Sequence, residues 1–504
     1  MKRCSLSLIV IGLLLASILS ACGGGTPATS GATAAPAAQA TAAPVAAQPT
    51  TAAEAQPTAA AATSEPTAAT QPTAASAAQP TAAGAQPTAA PLPTIAIPEK
   101  PSAPVSKSGF KGTLQYWVLG YQPNGGNRTG QLMDAAVAAF MKNNPDIKVE
   151  ITGYTGDQAG FTKLTQAVQG GQSVDVFRLP SDVLPLLVKD GLVAPIDDFL
   201  TPEDKADIYP NLLQAVTVDG KAYAWPLWVP PVGMYLNLDI FKERNVDLPP
   251  KDWTYDQFVE IAKKLTFKRD NGEQVYGYTA LIDPGVVNSW SFILGEGALP
   301  LSQDNKKYTF DSPEASKGLQ KLVDLALVHK VTPPDFGSQT GADITAGFKD
   351  KKVYAMYSEP SGASSGYKAA GMNFDVWPMP IMDSGKPVTA GGIGLISVAT
   401  SDDKAKLQAA MDLGRYLTSA EVGNDVQGFY LAPGARKSVK VIDPISKFEP
   451  FVQSCYITPI IVEWPQIRTI IHPQIQNAIF GKIKPDEALK QPADEINQIL
   501  ASGQ

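Results

Sequence analysis

Ser364 stands between Gly362 and Gly366, matching G-x-S-x-G, the pattern of a nucleophile presented on a sharp strand-to-helix turn. Such a serine needs a base and an acid as well, and His472 follows later in the chain. The apolar run 353–357 reads as the preceding strand, but it ends several residues too early, and Ser/Gly-rich loops produce this pattern by chance. Asp182 and Glu359 form a second pair: two carboxylates flanking a glycosidic bond would make a hydrolase if their separation suited it. No phosphate loop, metal-ligand spacing or dinucleotide fingerprint occurs, so neither cofactor nor metal is expected. The third chemistry is capture without turnover. It needs flat aromatic rings for apolar faces, and carboxylates, amides or guanidinium groups for polar rims.

The composition narrows the classes. Among 504 residues, 41 Lys and Arg face 48 Asp and Glu, giving a net charge of −7 and no global reason to bind nucleic acid. Three Cys build no disulfide scaffold, and with two His they make a poor zinc cluster. Fourteen of the 43 Pro fall within 23–107, a stretch of Ala, Thr, Pro, Gln, Gly and Ser in which Gln-Pro-Thr-Ala-Ala recurs from Gln56, Gln71, Gln79 and Gln86. Such a segment cannot bury enough surface to offset its ordering entropy, and it reads as an extended, disordered tether.

Before it, Lys2 and Arg3 lead into a short apolar run, 6–19, and then Leu19, Ser20, Ala21 and Cys22. The run is shorter than the ~20 residues of a membrane-spanning helix. The pattern resembles a bacterial lipoprotein signal, which implies cleavage and lipidation at Cys22. The expected location is therefore extracytoplasmic, lipid-anchored to the outer face of the cytoplasmic membrane. Cys455, left alone, reads as a small buried hydrophobe.

The chemistry-bearing residues must be positioned by what remains, from about Ser108. Strand-like 112–119, helical 129–143, strand-like 147–154, helical 161–169 and strand-like 174–179 give a parallel α/β pattern. A Pro-studded crossing follows at 225–232, then strand 234–237, helices at 238–244 and 257–265, and a long helix at 313–330. Strand 374–380 leads into a second Pro-marked crossing, and 391–398 is again strand-like. Two α/β units joined by extended Pro-containing segments imply two lobes with a cleft between them, ligands lying at their boundary.

The order of these segments resembles the extracellular solute-binding proteins of ABC importers, the family that includes the maltodextrin-binding proteins. The run from Phe140 to Val149 looks like the family's F-x-K-x-x-P-x-I-K-V. Residues 190–200 look like its G-L-L-x-P-L-D, and 220–226 with 234–242 like its Y-A-x-P and x-Y-N-x-D-L-F-K. Trp253 to Phe258, Asp311 to Ala315 and Ala390 to Gly394 complete a series covering almost the whole globular part. The resemblance implies a two-lobed periplasmic-binding-protein fold (type II-like), its lobes joined by hinge strands near 228–230 and 376–380. It implies no enzyme, no cofactor, a monomer, and two partners: a carbohydrate or related solute, and the permease subunits of an importer. The alternative solute is a polyol or glycerophosphodiester. The lobes are expected at 108–228 with 381–428, and at 229–380 with 429–504.

For such a site the candidates sit where strands meet loops. Tyr121 and Gln122 follow the first strand, and Ser181 and Asp182 the third. Asp182 falls where the family has a sugar-binding Asp, and it reads equally as a helix cap. Trp225 and Trp228 lie on the first crossing, Asn288 and Trp290 before an apolar helix, and Glu359 at a strand end. Gly391 and Gly392 offer backbone amides. Trp464 and Arg468, four apart on a helix, resemble a family pair. Pro230 stands where relatives have a binding Glu, and Ser361 where they have a stacking Trp, which implies a shorter or differently shaped glycan. Trp117, Trp253 and Trp377 read as core, helix start, and hinge or core.

Overall fold

A computed structural model describes residues 95–155, 158–170 and 173–503. The expected leader with Cys22, and the repeats through residue 94, lie outside the described residues. In chain order the strands are β1 Gly112–Leu119, β2 Ile147–Tyr154, β3 Val176–Pro180, β4 Thr217–Val218, β5 Lys221–Ala222, β6 Trp225–Trp228 and β7 Val232–Asn237. They continue as β8 Phe267–Lys268, β9 Gln274–Ala280, β10 Tyr354–Pro360, β11 Phe374–Trp377, β12 Thr389–Gly391, β13 Gly394–Val398 and β14 Cys455–Ile457.

Two five-stranded sheets carry the fold. The first runs β2-β1-β3-β13-β6, with β1 parallel to both neighbours and β13 antiparallel to β3 and β6. The second runs β11-β7-β10-β9-β8, with β10 parallel to β9 and antiparallel to β7. Strand β7 is buried at all six positions because both its faces are covered. Val232, Met234 and Leu236 face the main core of the second lobe, and Tyr235 faces an aromatic cluster with Phe348, Tyr367 and Phe448. This period-two split separates Ser358, bonded to Tyr278 at 2.8 Å, from Glu359 on the opposite face of β10.

Helix starts are written locally. Thr254 caps Tyr255–Lys264 through a reciprocal capping box with Gln257. Trp253 precedes that cap and packs edge-on against Phe258 at 5.5 Å, a hydrophobic staple, while its indole N–H donates to Pro378 O at 2.9 Å. Ser312 caps Pro313–Leu327, with Pro at the position where a missing N–H costs nothing.

The two lobes have separate cores, and the chain passes between them three times. The first passage, from Trp228 to Val232, lies where the Pro-studded run is expected. The second is not at 376–380: Trp377, Met379, Met382 and Ala390 all belong to the second core, and the first core resumes at Ile393. Its strand signal at 391–398 is broken into β12 and β13, one on each side of the passage. The third passage follows Cys455 and ends at Trp464. Phe429, Tyr430 and Val439 pack in the first core, so the chain beyond 428 continues the first lobe; Phe448 and Phe451 reach across to the Tyr235 cluster of the second lobe before Val452 and Cys455 pack again in the first core, and 381–390 belongs to the second. The three passages run side by side. β12 pairs with β14 in parallel, Pro231 bridges to Gly391, and Thr389 Oγ1 donates to Val232 O.

The chain before Ser108 is also placed. Ile95 and Ile97 pack on the first core, Ala103 is buried, and the amides of Ser102 and Ala103 donate to the Asp425 carboxylate at 2.6 and 3.0 Å. The docked body thus starts at least thirteen residues ahead of the expected boundary. Asp425 also accepts from Tyr416, so one carboxylate ties three segments together. Among the described residues no helix is long and apolar enough to cross a membrane, and no group of three or more acidic, His or Cys side chains is placed to hold a metal.

Candidate functional site

The three passages form the back of a cavity of about 410 Å³ between the sheets. Pro230 and Val232 come from the first passage, Gly391, Gly392 and Gly394 from the second, and Thr458 from the third. The first lobe adds Leu119, Phe161, Arg178, Ser181 and Trp228, and the second adds Asn288, Pro360 and Arg468. A neighbouring cavity of about 620 Å³ shares Phe161 and Arg468 and runs outward between Gln158–Gln169 and the start of Trp464–Ile479.

Glycine shapes the wall. A Cβ on Gly394 would lie 2.4 Å from Trp228 Nε1, so only the bare backbone of β13 lets the indole lie against it. A Cβ on Gly391 would meet Cys455 Sγ and Pro230 O, both at 2.9 Å, which is why the passages approach so closely. Cys455 itself is buried, and burial pushes its thiol far above the ordinary range. Gly392 has open space where its side chain would be.

Two polar atoms in the cavity wall have no protein partner. Asn288 is 2% exposed and its Oδ1 is buried without a donor. Arg178 stacks its guanidinium over the Trp228 ring, 4.3 Å from the centroid, and its Nη1 is buried without an acceptor. Burial lowers the Arg178 pKa, while Tyr116 and Tyr154 act in the opposite sense. Tyr154 fixes the strand beneath by donating to Arg178 O. Both atoms are fully covered, so they lie behind the lining, and the side chains of Asn288 and Arg178 reach the cavity through their other atoms.

Of the expected site residues, Ser181, Trp228, Asn288, Gly391, Gly392 and Arg468 line this cavity. The Asp182 side chain lies outside the described residues; its backbone forms the short turn Ser181–Val183. Several candidates belong elsewhere. Tyr121 donates to Asp134 at 2.7 Å, and Gln122 is exposed beside it, because the loop turns away toward Arg128–Asn143. Leu119, two residues earlier, reaches the cavity instead. Trp225 is wholly buried on β6, against Gly414. Trp290 and Trp464 are buried in the second core, edge to face at 5.8 Å, and Trp290 stacks on His472 at 5.7 Å. A large ring suits a ligand face and a core equally, and both rings fill the core here. Glu359 turns to the outer face of β10, where Tyr367 donates to it at 2.6 Å and burial pushes its carboxyl up to about 7. Ser361 is buried with its amide on Pro231 O and is not among the cavity lining.

The nucleophile arrangement is not assembled. Ser364 Oγ is buried and donates to Ser361 O at 2.6 Å, the position of a first-turn helix residue. His472 is in a different core, stacked on Trp290, and burial holds its imidazole down to about 4. Arg178, Phe161 and Thr458 were not among the candidates. Arg178 left one signal: a cation inside the apolar strand Val176–Pro180, where a buried charge is the informative residue.

Comparison with known proteins agrees with this architecture. Among curated proteins, a putative binding protein of Brucella abortus is 24% identical over 418 residues, spanning 79% of this chain and 95% of that one. The maltotriose-binding protein of Pyrococcus abyssi is 24% identical over 393 residues, 73% of this chain and 77% of that protein. Among solved structures, an ABC substrate-binding protein of Listeria monocytogenes in complex with cycloalternan superposes with a TM-score of 0.62 at 21% identity, covering 78% of this chain and all of that one. The family model for bacterial extracellular solute-binding proteins matches residues 135–446, well over half of the sequence and both lobes of the fold. With that match and its two lobes, the chain belongs to the bacterial extracellular solute-binding protein family.

Proposed function

We propose that the protein captures a carbohydrate in this cleft and hands it to the permease of an ABC importer, without turning it over. The observation that carries the reading is the cavity at the crossing, where the Trp228 indole lies beside the polar side chains of Asn288, Arg178 and Thr458. A saccharide offers apolar C–H faces for the ring and hydroxyls that both donate and accept. The maltotriose and cycloalternan binding of the relatives supports the same class. Side-by-side passages with close glycine contacts suit a hinge, so that the lobes close over the solute, exclude water and strengthen its polar contacts. A lipid on Cys22 would hold the monomer at the outer face of the cytoplasmic membrane. The Ser364 environment supports no hydrolase reading.

The test is thermal melting of the full chain against neutral and acidic saccharides, polyols, glycerophosphodiesters and amino acids. A ligand at 100 times its dissociation constant adds about 2.7 kcal/mol of stability. A saccharide that raises the melting temperature, and loses that effect in Asn288→Ala, supports the reading. Silence from every saccharide overturns it.

A further inference from the structure

One stretch of the first lobe leaves its own core to grip the other lobe. Val439 packs in the first core, and Val452 and Cys455 pack there again. Between them, 442–451 forms a strap laid on the second lobe. Phe448 is wholly buried beside Tyr235, ring centroids 5.5 Å apart, and Phe451 packs edge-on against Phe448 at 5.8 Å. A Cβ on Gly233 would lie 2.7 Å from the Phe448 ring, so the strap rests on the bare backbone of β7. Two ion pairs flank the rings: Asp443 with Lys368, and Lys447 with Asp375, each at 2.6 Å. Both pairs are part-exposed and contribute little energy, so the rings carry the grip and the charges fix its register.

The strap and the cavity lie on opposite faces of the same strands. Val232 lines the cavity, and its neighbour Gly233 faces the strap. Pro360 lines the cavity, and Glu359 before it turns to Tyr367 in the cluster the strap joins. This is strand alternation, the same on β7 and β10. The first passage enters β7 between the two, and lobes turning about it cannot tighten both sides at once. The Phe448 ring is already fully packed, while cavities of about 410 and 620 Å³ stand between the lobes. Shutting those cavities over a solute draws the strap off β7. We propose that the strap holds the lobes apart and so sets the affinity of the cleft from outside it, with Phe448 and Phe451 as positioning residues. This rests on the closure reading above and adds the contact that opposes closure. A solute that needs the closed arrangement binds in proportion to the fraction of chains that adopt it, so weakening the strap strengthens binding.

The experiment measures the separation of the lobes by pulsed electron spin resonance on the full chain, without solute. Labels go on Lys189→Cys and Gln466→Cys, exposed on Leu184–Lys189 and Trp464–Ile479, two helices that line the outer cavity from opposite lobes. Cys4→Ser and Cys22→Ser leave buried Cys455 as the only native thiol. Phe448→Ala should move the distance distribution to shorter separations. Calorimetry with maltotriose as the probe should show a dissociation constant lowered about tenfold, although the variant melts earlier. A merely structural Phe448 would lower the melting temperature without bringing the lobes together. Unchanged or longer separations overturn the inference, whether or not maltotriose binds, and so does bound maltotriose whose dissociation constant does not fall. Either result leaves the carbohydrate reading standing, since that reading fails separately, by silence from every saccharide. Should Phe448→Ala fail to fold, Phe448→Leu, which trims the ring without emptying its site, decides by the same shift.

Discussion

Two buried ionisable groups in the second lobe set stability slopes of opposite sign. Glu359 is held up to about 7 by burial, although Tyr367 and Tyr357 hydrogen bonds act against that; the ordinary value is 4.5. Between these values the unfolded chain has released the proton and the folded chain keeps it, so stability falls as pH rises from 4.5 to 7. His472 runs the other way. Burial first, then Arg468, lowers it from 6.5 to about 4. The unfolded chain gains a proton below 6.5 that the folded chain refuses until about 4, so stability falls as pH drops through that range. At about 1.4 kcal/mol per pH unit, each group accounts for about 3 kcal/mol. Where the ranges overlap, 4.5 to 6.5, the slopes cancel and the wild-type melting temperature should be nearly level. Glu359→Gln keeps the acceptor for Tyr367 and removes the titration. At pH 8 it should be the more stable chain by up to about 3 kcal/mol. With an unfolding entropy of roughly 2.1 cal/mol/K per residue over roughly 400 residues, that is about 4 °C. At pH 4 the two chains should melt together, and the variant should show the rising histidine slope alone. His472→Phe, which retains a ring on Trp290, should show the falling glutamate slope alone. Scanning calorimetry from pH 4 to 8 reads all three chains. An equal offset between Glu359→Gln and wild type at pH 4 and pH 8 would refute a carboxyl kept neutral by burial.

Three further perturbations test the packing. Trp464→Ala should cost about 3–5 kcal/mol, as a truncated core aromatic, while the ligand dissociation constant measured well below melting stays put; lost affinity at unchanged stability would return Trp464 to the site. Gly394→Ala forces its Cβ against Trp228, so it should cost about 1–3 kcal/mol and weaken ligand binding together, and an unchanged melt and titration would contradict that wall. Asp204 accepts from Arg436 at 2.7 Å and Arg415 at 2.8 Å. Burial pushes its carboxyl up, but the Thr201 amide and Arg436 outweigh that and hold it below the usual range. Asp204→Asn leaves the Arg436 charge buried, and denaturant unfolding should register a loss of about 3–5 kcal/mol; a loss below about 1 kcal/mol would show the pair to be dispensable.

The fold was legible where periodicity is strong. Strands 112–119 and 147–154 stand where the pattern puts them. The passages between lobes were harder, because a run such as 391–398 is apolar throughout and nothing local says that it changes sheet partners midway. The Pro residues at 378 and 380 suggested a crossing, yet the loop there stays on the second core and serves the Trp253 staple. The lining of the cavity was legible at Trp228, Asn288, Gly391 and Gly392, which follow from strand ends and glycine. It was not legible at Trp225, Trp290 and Trp464, because a large ring that would stack on a ligand fills a core equally well. Only the three-dimensional packing separates the two.

The threefold crossing has a consequence for how the chain comes into being. Each core is stitched from distant stretches: the first needs residues up to Cys455, and the second draws on Leu489, Ile496 and Leu500. A polypeptide delivered from its N-terminal end therefore reaches the outside with neither lobe completable until most of its length has followed. Stable tertiary structure is deferred, because the contacts that reward folding are long-range and arrive last. For a protein of an extracellular family this lateness keeps the chain unfolded and threadable while it is still crossing, and lets both lobes close only once transit is nearly over.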